Sequence, residues 1–322
     1  MQVSVIIVTY NRIKDLSECL NSILVQASLP KEVIIVDNSD SKESEKLIGK
    51  RKSEFKKNNI YLRYIKNEKE NALTVARNIG IKNVTGEIIL FLDDDVILEK
   101  NYIKEILKVY EEYPESLGVR GYITPEGVSK VRNLVYKLFF LYHLEKNKCR
   151  VLFSISATYP YPLDKIIPCQ WLSGANHSYK RRVLEEFTYD EKLKKYSEGE
   201  DLEFSYRVFK KYPNSLYITP SAKLIHKTSP SGRILGKELI CMREIYGLYL
   251  FYKVFGSSLK NRLIYIWSRI GKLILNIGRS VFKLSVVGFR ENVYVIGAYM
   301  YCMIHLREIK KGDLEFFNKR LE

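Results

Sequence analysis

Three consecutive aspartates, Asp93, Asp94 and Asp95, directly follow an apolar run at residues 88–92 that predicts a buried strand. Clustered carboxylates repel one another unless a cation neutralises them. Hard oxygen ligands favour Mg²⁺ or Mn²⁺, and these ions commonly share their coordination shell with a diphosphate. The pattern therefore predicts a divalent metal site for a phosphorylated ligand, with a solvated acidic turn as the alternative.

A second pair of carboxylates, Glu200 and Asp201, begins a predicted helix that continues through Arg207. A carboxylate near a helix N-terminus is stabilised in its charged form, which suits a general base acting on a hydroxyl. The alternative is an acidic first turn that only caps the helix.

His226 ends an apolar, strand-like stretch at residues 222–225, and basic and hydroxyl side chains follow it. A single histidine is more often structural than a ligand, but a neutral imidazole could complete the coordination that the aspartates begin. Lys227 and Arg233 lie in a segment with enough donors to close over a diphosphate. We therefore predict His226 as a metal ligand and the two cations as phosphate ligands.

The elements that must position these residues alternate between short apolar strands and helices. Strands are predicted at residues 3–8, 33–36, 60–65 and 88–92, and helices at 15–25, 42–57, 73–81 and 100–113. This order predicts a mostly parallel sheet with helices on both faces. Ligands of such sheets lie beyond the carboxyl ends of the strands. The predicted site therefore includes the polar residues there, namely Thr9, Tyr10, Asn11, Arg12, Asp37, Asn38, Ser39 and Asp40.

The rest of the chain divides near residue 232. Residues 118–122 predict another strand, an aromatic-rich insertion covers about 128–165, and residues 170–186 return to the sheet. We therefore predict a main domain over 1–232, with parts at about 1–124 and 125–232. A basic amphipathic helical region is predicted over 233–322.

Helical spacing of apolar residues characterises the stretch from 263 to 284. The apolar positions are Leu263, Ile266, Trp267, Ile270, Ile274, Ile277, Val281 and Leu284, and the interleaved cations include Arg262, Arg269, Lys272, Arg279 and Lys283. The longest uncharged run, 292–306, is shorter than the roughly 20 residues that span a bilayer. Such a helix could lie on an anionic membrane. Packing on the main domain or in a homodimer is the alternative.

Charge and missing motifs narrow the classes of function. The chain carries a formal net charge of +16, which fits nucleic acid, anionic lipid or a phosphorylated substrate. No GxGxxG follows the first strand, and neither a GxxxxGK[ST] loop nor a nucleophile elbow occurs, which disfavours dehydrogenases, P-loop NTPases and serine hydrolases. The five cysteines are dispersed and form no CxxC pair, and the sequence opens on a predicted strand rather than on a signal peptide. These features predict a cytoplasmic protein.

In order and spacing, six segments resemble those of glycosyltransferase family 2, inverting enzymes of the GT-A fold with a single Rossmann-like sheet. They are the first strand and nucleotide loop (3–12), the second strand with its aspartate (32–40), Ala-Arg-Asn-x-Gly (76–80), the DxD strand (86–95), Gly-x-Asn (171–176) and the ED helix (200–207). The resemblance covers residues 3 to about 226. It implies a GT-A domain followed by a helical extension.

The resemblance implies a role for each matching residue. Tyr10 would pack on the base, Asp37 would hydrogen-bond it, Arg77 would reach the nucleoside and Asp93 the ribose. Asp95 would hold the metal with His226, and Asp201, beside Glu200, would be the base. Further donor contacts would come from Thr9, Asn11, Arg12, Asp94, Lys227 and Arg233, and acceptor contacts from Trp171, Gly174 and Asn176.

The implied activity is transfer of a sugar from a nucleotide-diphosphate donor to a saccharide or lipid-linked acceptor in cell-surface glycan or glycoprotein-glycan synthesis. Mn²⁺ or Mg²⁺ would be the cofactor, and the enzyme would lie on the cytoplasmic membrane face without binding nucleic acid. A sugar-1-phosphate nucleotidyltransferase is one alternative, but residues 9–12 lack its phosphate-loop glycines. A non-catalytic carbohydrate-binding protein is another, although pure binding needs neither carboxylate motif. Glu203, where many family members have Asp, leaves the acceptor pocket unassigned.

Overall fold

The computed structural model describes residues 1–127, 129–230 and 235–321. Arg233, one of the predicted phosphate ligands, lies outside these residues. The first part of the chain forms β1 (Val3–Thr9), α1 (Ile13–Leu24), β2 (Glu32–Asp37), α2 (Glu43–Lys57), β3 (Tyr61–Lys66), α3 (Leu73–Ile81), β4 (Ile88–Asp93), β5 (Val96–Leu98), α4 (Tyr102–Glu112) and β6 (Gly118–Tyr122). The predicted elements are all present within a few residues, and β5 is an addition.

The remaining elements are mainly helical. They are α5 (Lys130–Leu138), β7 (His143–Glu145), β8 (Val151–Leu152), β9 (Ser156–Pro160), β10 (Ile167–Pro168), β11 (Asn176–Lys180), α6 (Arg181–Glu186), α7 (Glu200–Lys211), β12 (Leu216–His226), α8 (Gly236–Phe255), α9 (Leu259–Phe282), α10 (Val286–Ile304), α11 (Leu306–Lys311) and α12 (Glu315–Asn318). The helical extension after the sheet is therefore confirmed.

The main sheet runs in the order β10-β12-β6-β11-β4-β1-β2-β3, and β5 pairs with β12. β4, β1, β2 and β3 are parallel, β12 is parallel to β6, and β11 is antiparallel between β4 and β6. Val8 pairs with Asp93 and Thr9 with Asp37, so the polar residues after three strands meet at one edge. The predicted fold class, a mostly parallel α/β sheet, is confirmed.

The chain separates into two compact units. Unit 1 comprises Met1–Pro125, Pro162–Glu191 and Glu200–Arg233, and unit 2 comprises Glu126–Tyr161, Lys192–Gly199 and Ile234–Glu322. Most of the predicted insertion at 128–165 thus belongs with the C-terminal helices rather than with the sheet. The assignment of donor, acceptor and tail functions to segments of the chain stays a prediction.

The core of unit 1 follows ordinary amphipathic rules. β2 is buried along its whole length, and α1 buries Leu16, Leu20 and Ile23 completely. Burial of large aliphatic side chains contributes roughly 1.5–3 kcal/mol each, so these contacts fix α1 against the sheet. The loops at the carboxyl ends of the strands are positioned by this core.

The long helix α9 of unit 2 has the opposite arrangement. Its buried residues are Tyr265, Ser268, Gly271 and Ser280, whereas every position of the apolar stripe between Leu263 and Leu284 is exposed. α10 similarly exposes Val286, Val287, Phe289, Val293, Ile296, Met300, Met303 and Ile304. No helix in the described ranges is long and apolar enough to cross a bilayer.

Candidate active site

A candidate metal site lies where β4 ends beside the end of β12. β5 pairs with β12 in a register that sets His226 opposite Val96, directly after the aspartates. His226 Nε2 is 3.0 Å from Asp95 Oδ1 and 3.8 Å from Asp93 Oδ2. One ligand atom from each of these three residues lies within 4.8 Å of the others. Asp93, predicted as a ribose contact, therefore lies with the two predicted metal ligands.

The donor atoms of this cluster fit a small divalent cation. Asp95 is buried, and its Oδ1 accepts no well-formed hydrogen bond from the described residues although the imidazole is close. Burial raises the pKa of Asp93, an effect that Arg77 opposes. Burial would likewise raise the pKa of Asp95, but His226 and the Ser229 N–H outweigh this effect and lower the pKa of that carboxyl. Two carboxylates and one imidazole suit Mg²⁺ or Mn²⁺.

Asp94 turns toward the loop after β1 instead. The Thr9 hydroxyl donates to Asp94 Oδ2 at 2.8 Å, and Arg12 Nη1 lies 3.0 Å from Asp94 Oδ1 and 3.5 Å from Asp95 Oδ2. Burial raises the pKa of Asp94 to about 7 despite Arg12. Arg12 Nη2 also donates to the Ser229 carbonyl at 3.1 Å, and the Ser229 N–H donates to Asp95 Oδ2 at 2.8 Å. The β1 loop and the segment after β12 are thereby fixed to the aspartates.

Arg77 joins the two carboxylate groups. Its Nη1 is 2.9 Å from Glu200 Oε1, and its Nη2 is 3.7 Å from Asp93 Oδ1 and donates to the Gly174 carbonyl at 3.2 Å. Burial would lower the pKa of Arg77, but Glu200, Asp93 and the Tyr189 hydroxyl raise it above its ordinary value. The guanidinium therefore stays charged between the predicted metal and base residues.

Glu200 and Asp201 begin α7 and differ in their partners. Burial raises the pKa of Glu200, the Asp201 charge adds to this effect, and Arg77 opposes it. Asp201 is half-buried, and its Oδ2 accepts a 2.6 Å hydrogen bond from the Gly174 N–H. A Cβ atom on Gly174 would lie 3.0 Å from Arg77 Nη2, 3.3 Å from Asp201 Oδ2 and 3.4 Å from Glu200 Oε1. Only glycine fits easily against all three charged groups.

The other predicted donor residues lie in different environments. Asp37 is fully buried, with Oδ1 accepting from the Ser39 N–H at 2.8 Å and Oδ2 from the Tyr64 hydroxyl at 3.0 Å. The Asn11 N–H donates to Ser39 Oγ at 2.7 Å, which ties the β1 loop to the β2 loop. Tyr10 is half-buried beside Asn11 in the chain.

The Lys227 backbone N–H donates to the Asp95 carbonyl at 3.0 Å, but its side-chain amine is directed away from the aspartate carboxylates. Its amine forms ion pairs with Asp15 and Glu18 of α1, at 3.0 Å from Glu18 Oε2. Because two carboxylates already neutralise this amine, its contribution to a phosphate site would require a rearrangement of the segment.

All three predicted acceptor residues, Trp171, Gly174 and Asn176, are buried. The Trp171 ring lies under the Arg120 guanidinium, 4.6 Å from its carbon. Asn176 is fully buried on β11, and its side-chain amide forms no hydrogen bond within the described part of the chain. Among the three, Gly174 alone contacts the charged groups of the site.

Two residues of this site were not predicted from the sequence. Tyr189 lies under Arg77, with 5.2 Å from the guanidinium carbon to the ring centroid. Asn78 holds the Tyr189 backbone, because its amide donates to the Tyr189 carbonyl at 3.0 Å and accepts from the Tyr189 N–H at 3.0 Å. The Ala-Arg-Asn-x-Gly pattern signalled Asn78, but an isolated tyrosine in a loop carries no signal of its own.

The mostly parallel sheet with carboxylates at its carboxyl edge agrees with the GT-A resemblance of the sequence. The sequence model of the family described as Glycosyl transferase family 2 matches residues 4–227. The chain belongs to this family and is a glycosyltransferase. Family membership sets aside the nucleotidyltransferase and the non-catalytic binding protein.

Similar curated sequences include an uncharacterized glycosyltransferase, YwdF of Bacillus subtilis, which is 29% identical over 76% of this chain and 81% of its own length. The glucosyl-dolichyl phosphate glucuronosyltransferase of Haloferax volcanii is 26% identical over 40% of this chain and 41% of its own length. Glycosyltransferase GlyA of Streptococcus pneumoniae is 32% identical over 38% of this chain and 17% of its own length. The alignment thus spans less than half of the last two relatives.

Solved structures share the fold over most of the chain. S. aureus TarS 1-349 in complex with UDP-GlcNAc has a TM-score of 0.58 and 18% identity, covering 98% of this chain and 89% of that one. The mannosyltransferase PcManGT from Pyrobaculum calidifontis, in complex with GDP-Man and Mn²⁺, has a TM-score of 0.57 and 16% identity, covering 93% and 86%. These similarities establish the GT-A fold.

Proposed function

We propose that this glycosyltransferase transfers a sugar, with inversion, from a nucleotide-diphosphate donor to a saccharide or lipid-linked acceptor in cell-surface or glycoprotein glycan synthesis. One observation carries the proposal. Arg77 lies between Asp93 of the candidate metal cluster and Glu200, the neighbour of Asp201. A donor phosphate group and an acceptor hydroxyl would therefore meet within one small, charged site.

The donor side of the proposal rests on the Asp93, Asp95 and His226 cluster. These residues would hold a divalent cation, either Mn²⁺ or Mg²⁺, which when bound would neutralise charge on a leaving diphosphate. TarS is described with UDP-GlcNAc and PcManGT with GDP-Man and Mn²⁺, which supports a nucleotide-sugar donor here. Thr9, Asn11 and Arg12 hold the adjoining loops in place.

The acceptor side rests on the difference between Asp201 and Glu200. Asp201 accepts hydrogen bonds from the Gly174 N–H at Oδ2 and from the Leu202 N–H at Oδ1, and its half-buried carboxylate can accept the proton of an acceptor hydroxyl. The hydroxyl oxygen would attack the anomeric carbon as the bond to the diphosphate breaks on the opposite face. Glu200 is committed to Arg77 and would position that guanidinium. No enzyme nucleophile is needed in this single displacement.

The apolar faces of α9 and α10 support binding to a membrane. Phe282, Leu284 and Val286 are 94%, 85% and 82% exposed around the connection between the two helices. α5 adds exposed Val131, Leu134 and Leu138, and the Trp267 indole N–H joins it to α9 by donating to the Leu138 carbonyl at 3.0 Å. Contiguous exposed apolar surface of this kind indicates a partner or a membrane.

An anionic membrane is the partner that the charges favour. The exposed cations of α5, α9, α10 and the α9–α10 connection are Lys130, Arg132, Lys137, Lys260, Arg279, Lys283 and Arg290, and Glu291 is the only acid among the residues of these segments. Arg269 and Lys272, which we predicted as membrane-facing, instead bind Glu244 inside unit 2. We propose attachment to the cytoplasmic membrane face, and a homodimer that covers the same surface is the competing outcome.

A donor panel tests the proposed reaction. UDP-, GDP- and dTDP-sugars are incubated with Mn²⁺ and candidate saccharide acceptors, and nucleoside diphosphate release is measured. NMR of the product then reports the anomeric configuration. One donor should release nucleoside diphosphate in an acceptor-dependent way and give the inverted anomer, whereas a retained configuration would contradict the role of Asp201.

A further inference from the structure

A cationic cavity in unit 2 is lined by residues other than those of the candidate active site. It has a volume of about 430 Å³ and lies among α5, α8, α9 and the strands of the insertion. Its cationic lining residues are Arg243, Arg269, Lys272 and Arg279, and its aromatic ones are Tyr136 and Tyr142. The size is within the range of small-ligand sites in proteins.

The cavity retains positive charge after its internal ion pairs are counted. Glu244 Oε2 is 3.2 Å from Arg269 Nη1, and Glu244 Oε1 is 2.6 Å from Lys272 Nζ. Glu198 pairs with Arg243, with 2.7 Å from Nε to Oε2. Four cations therefore face two carboxylates, which leaves a surplus of two positive charges. Arg279 forms no ion pair within the described part of the chain.

One cation of this cavity, Arg269, is held in place before any ligand arrives. Arg269 is fixed by Glu244, by the Ser154 carbonyl at 3.4 Å and by the Tyr265 ring at 4.9 Å from its carbon. A guanidinium fixed in this way loses little side-chain entropy when it binds an anion. Ser154, Ser156 and Asn276 add uncharged polar groups to the wall.

We propose that this cavity binds a phosphate group carried by the acceptor, as a sugar phosphate or a phosphodiester. Arg279 and Lys272 would contact the phosphate oxygens, since planar and ammonium cations both form strong charge-assisted bonds to phosphate. Tyr136 and Tyr142 would contact the apolar face of a sugar ring. Glu198 and Gly199, which also line the cavity, directly precede Glu200 and Asp201 in the chain. The inference rests on the proposed transfer to a saccharide or lipid-linked acceptor.

Calorimetric titration in EDTA and low salt, without nucleotide, tests this site with glucose 1-phosphate and with inorganic phosphate. The wild type should bind glucose 1-phosphate at one saturable site, and Arg279→Gln should weaken binding about tenfold, the scale of one charge-assisted hydrogen bond. Arg63→Gln is the matched control, because Arg63 is exposed on β3, does not line the cavity and is not on the helices proposed to bind the membrane. Arg279 is exposed, so its substitution should leave the fold intact.

A vesicle arm separates a lipid phosphate from a soluble one. Flotation with phosphatidylcholine vesicles, with and without phosphatidylglycerol, compares the same two variants. A defect of Arg279→Gln in both titration and flotation assigns the cavity to phosphates of either source, and a defect in titration alone assigns it to soluble ones. Equal binding by Arg279→Gln and Arg63→Gln in every arm would overturn the proposal. Metal-dependent UDP or GDP binding, measured separately, shows whether the proposed transfer itself has failed.

Discussion

The helices α1 of unit 1 and α9 of unit 2 have the same kind of apolar repeat but bury opposite faces. In α1 the apolar side chains Leu16, Leu20 and Ile23 are fully buried, and Asp15 and Glu18 reach Lys227 on the other face. In α9 small and polar residues such as Ser268 and Gly271 face inward, and the apolar stripe faces out.

The apolar face of an amphipathic helix can therefore pack on the core of the same chain or face outward. In water, apolar burial stabilises the fold, so a stripe is expected to face the core. An outward stripe over most of a long helix instead indicates that something outside the chain covers it. Unit 1 thus concentrates charge at one edge of a sheet, where chemistry can occur, while unit 2 has an internal ion-pair cluster around Glu244 and presents apolar surface together with exposed cations.

Asp201→Asn should cause the largest loss, because Asp201 is the proposed general base and lies in unit 1. The amide is nearly isosteric but cannot take the acceptor proton, so turnover should fall about 10²–10⁴-fold. Donor affinity, measured by thermal shift with the nucleotide sugar, should change little. A variant Glu200→Gln that loses turnover while Asp201→Asn keeps it would show that the base is the other carboxylate.

Glu244→Gln tests whether the internal charge of unit 2 supports its fold. The change leaves Arg269 and Lys272 near a neutral group, and breaking a buried ion pair typically costs about 3–5 kcal/mol. The midpoint of thermal unfolding should therefore fall by several degrees. Glu315→Gln, which removes an exposed ion pair with Lys319, should change it little. Equal midpoints for the two variants would contradict this role of Glu244.

The ion pairs of Glu244 predict that the thermal stability of the protein depends on pH. Burial would raise the pKa of Glu244, but Arg269 and Lys272 outweigh it and lower the pKa below its ordinary value of 4.5. The unfolded chain therefore takes up this proton at a higher pH than the folded one. The stabilisation is complete well above pH 4.5 and is lost as the pH falls through the folded-state pKa. Thermal unfolding of the wild type should become more acid-sensitive than that of Glu244→Gln.

Much of unit 1 could be predicted because its signals are local. Residues 88–92 are apolar and directly followed by three aspartates, so strand and site appear together in the sequence. Parallel pairing then brings Thr9, Asp37 and Asp93 to one edge whatever the details of side-chain packing. Helical spacing likewise predicted α9.

The contacts that could not be predicted join residues far apart in the chain. Arg77 pairs with Glu200, Lys227 with Asp15, and Glu244 with Arg269. From the sequence alone, each of these residues would be interpreted as a charged side chain on the solvent-exposed surface. Spacing also could not show which face of α9 is buried, because periodicity defines two faces without assigning a partner to either.

Phe282→Ser/Leu284→Ser tests the outward face of α9. Removing two large apolar groups that would enter a membrane should weaken vesicle binding about tenfold or more. Lys283→Glu/Arg290→Glu should weaken binding to anionic vesicles only, and salt should do the same. Tyr61→Ser, an exposed aromatic change on β3 of unit 1, is the control for flotation. Unchanged flotation together with a concentration-dependent dimer that Phe282→Ser/Leu284→Ser disrupts would favour the homodimer.

Gly174→Ala should have the smallest effect on activity and tests how closely the charged groups of unit 1 must be positioned. The added methyl group would press on Arg77, Asp201 and Glu200, so turnover should fall roughly tenfold because misplaced catalytic groups are costly. Gly49→Ala is the control, since nothing lies within 4 Å of its Cβ position on α2. Full activity of Gly174→Ala would show that the three charged groups tolerate displacement.

Metal-dependent donor binding tests most directly that unit 1 holds the donor through Asp93, Asp95 and His226. Thermal shift with UDP and with GDP is measured in Mn²⁺ and in EDTA, for the wild type, Asp95→Asn and the exposed control Glu111→Gln. We predict that one nucleotide stabilises the wild type and the control in Mn²⁺ only, and that Asp95→Asn loses this stabilisation while remaining folded. Equal stabilisation in EDTA, or retention by Asp95→Asn, would contradict the account.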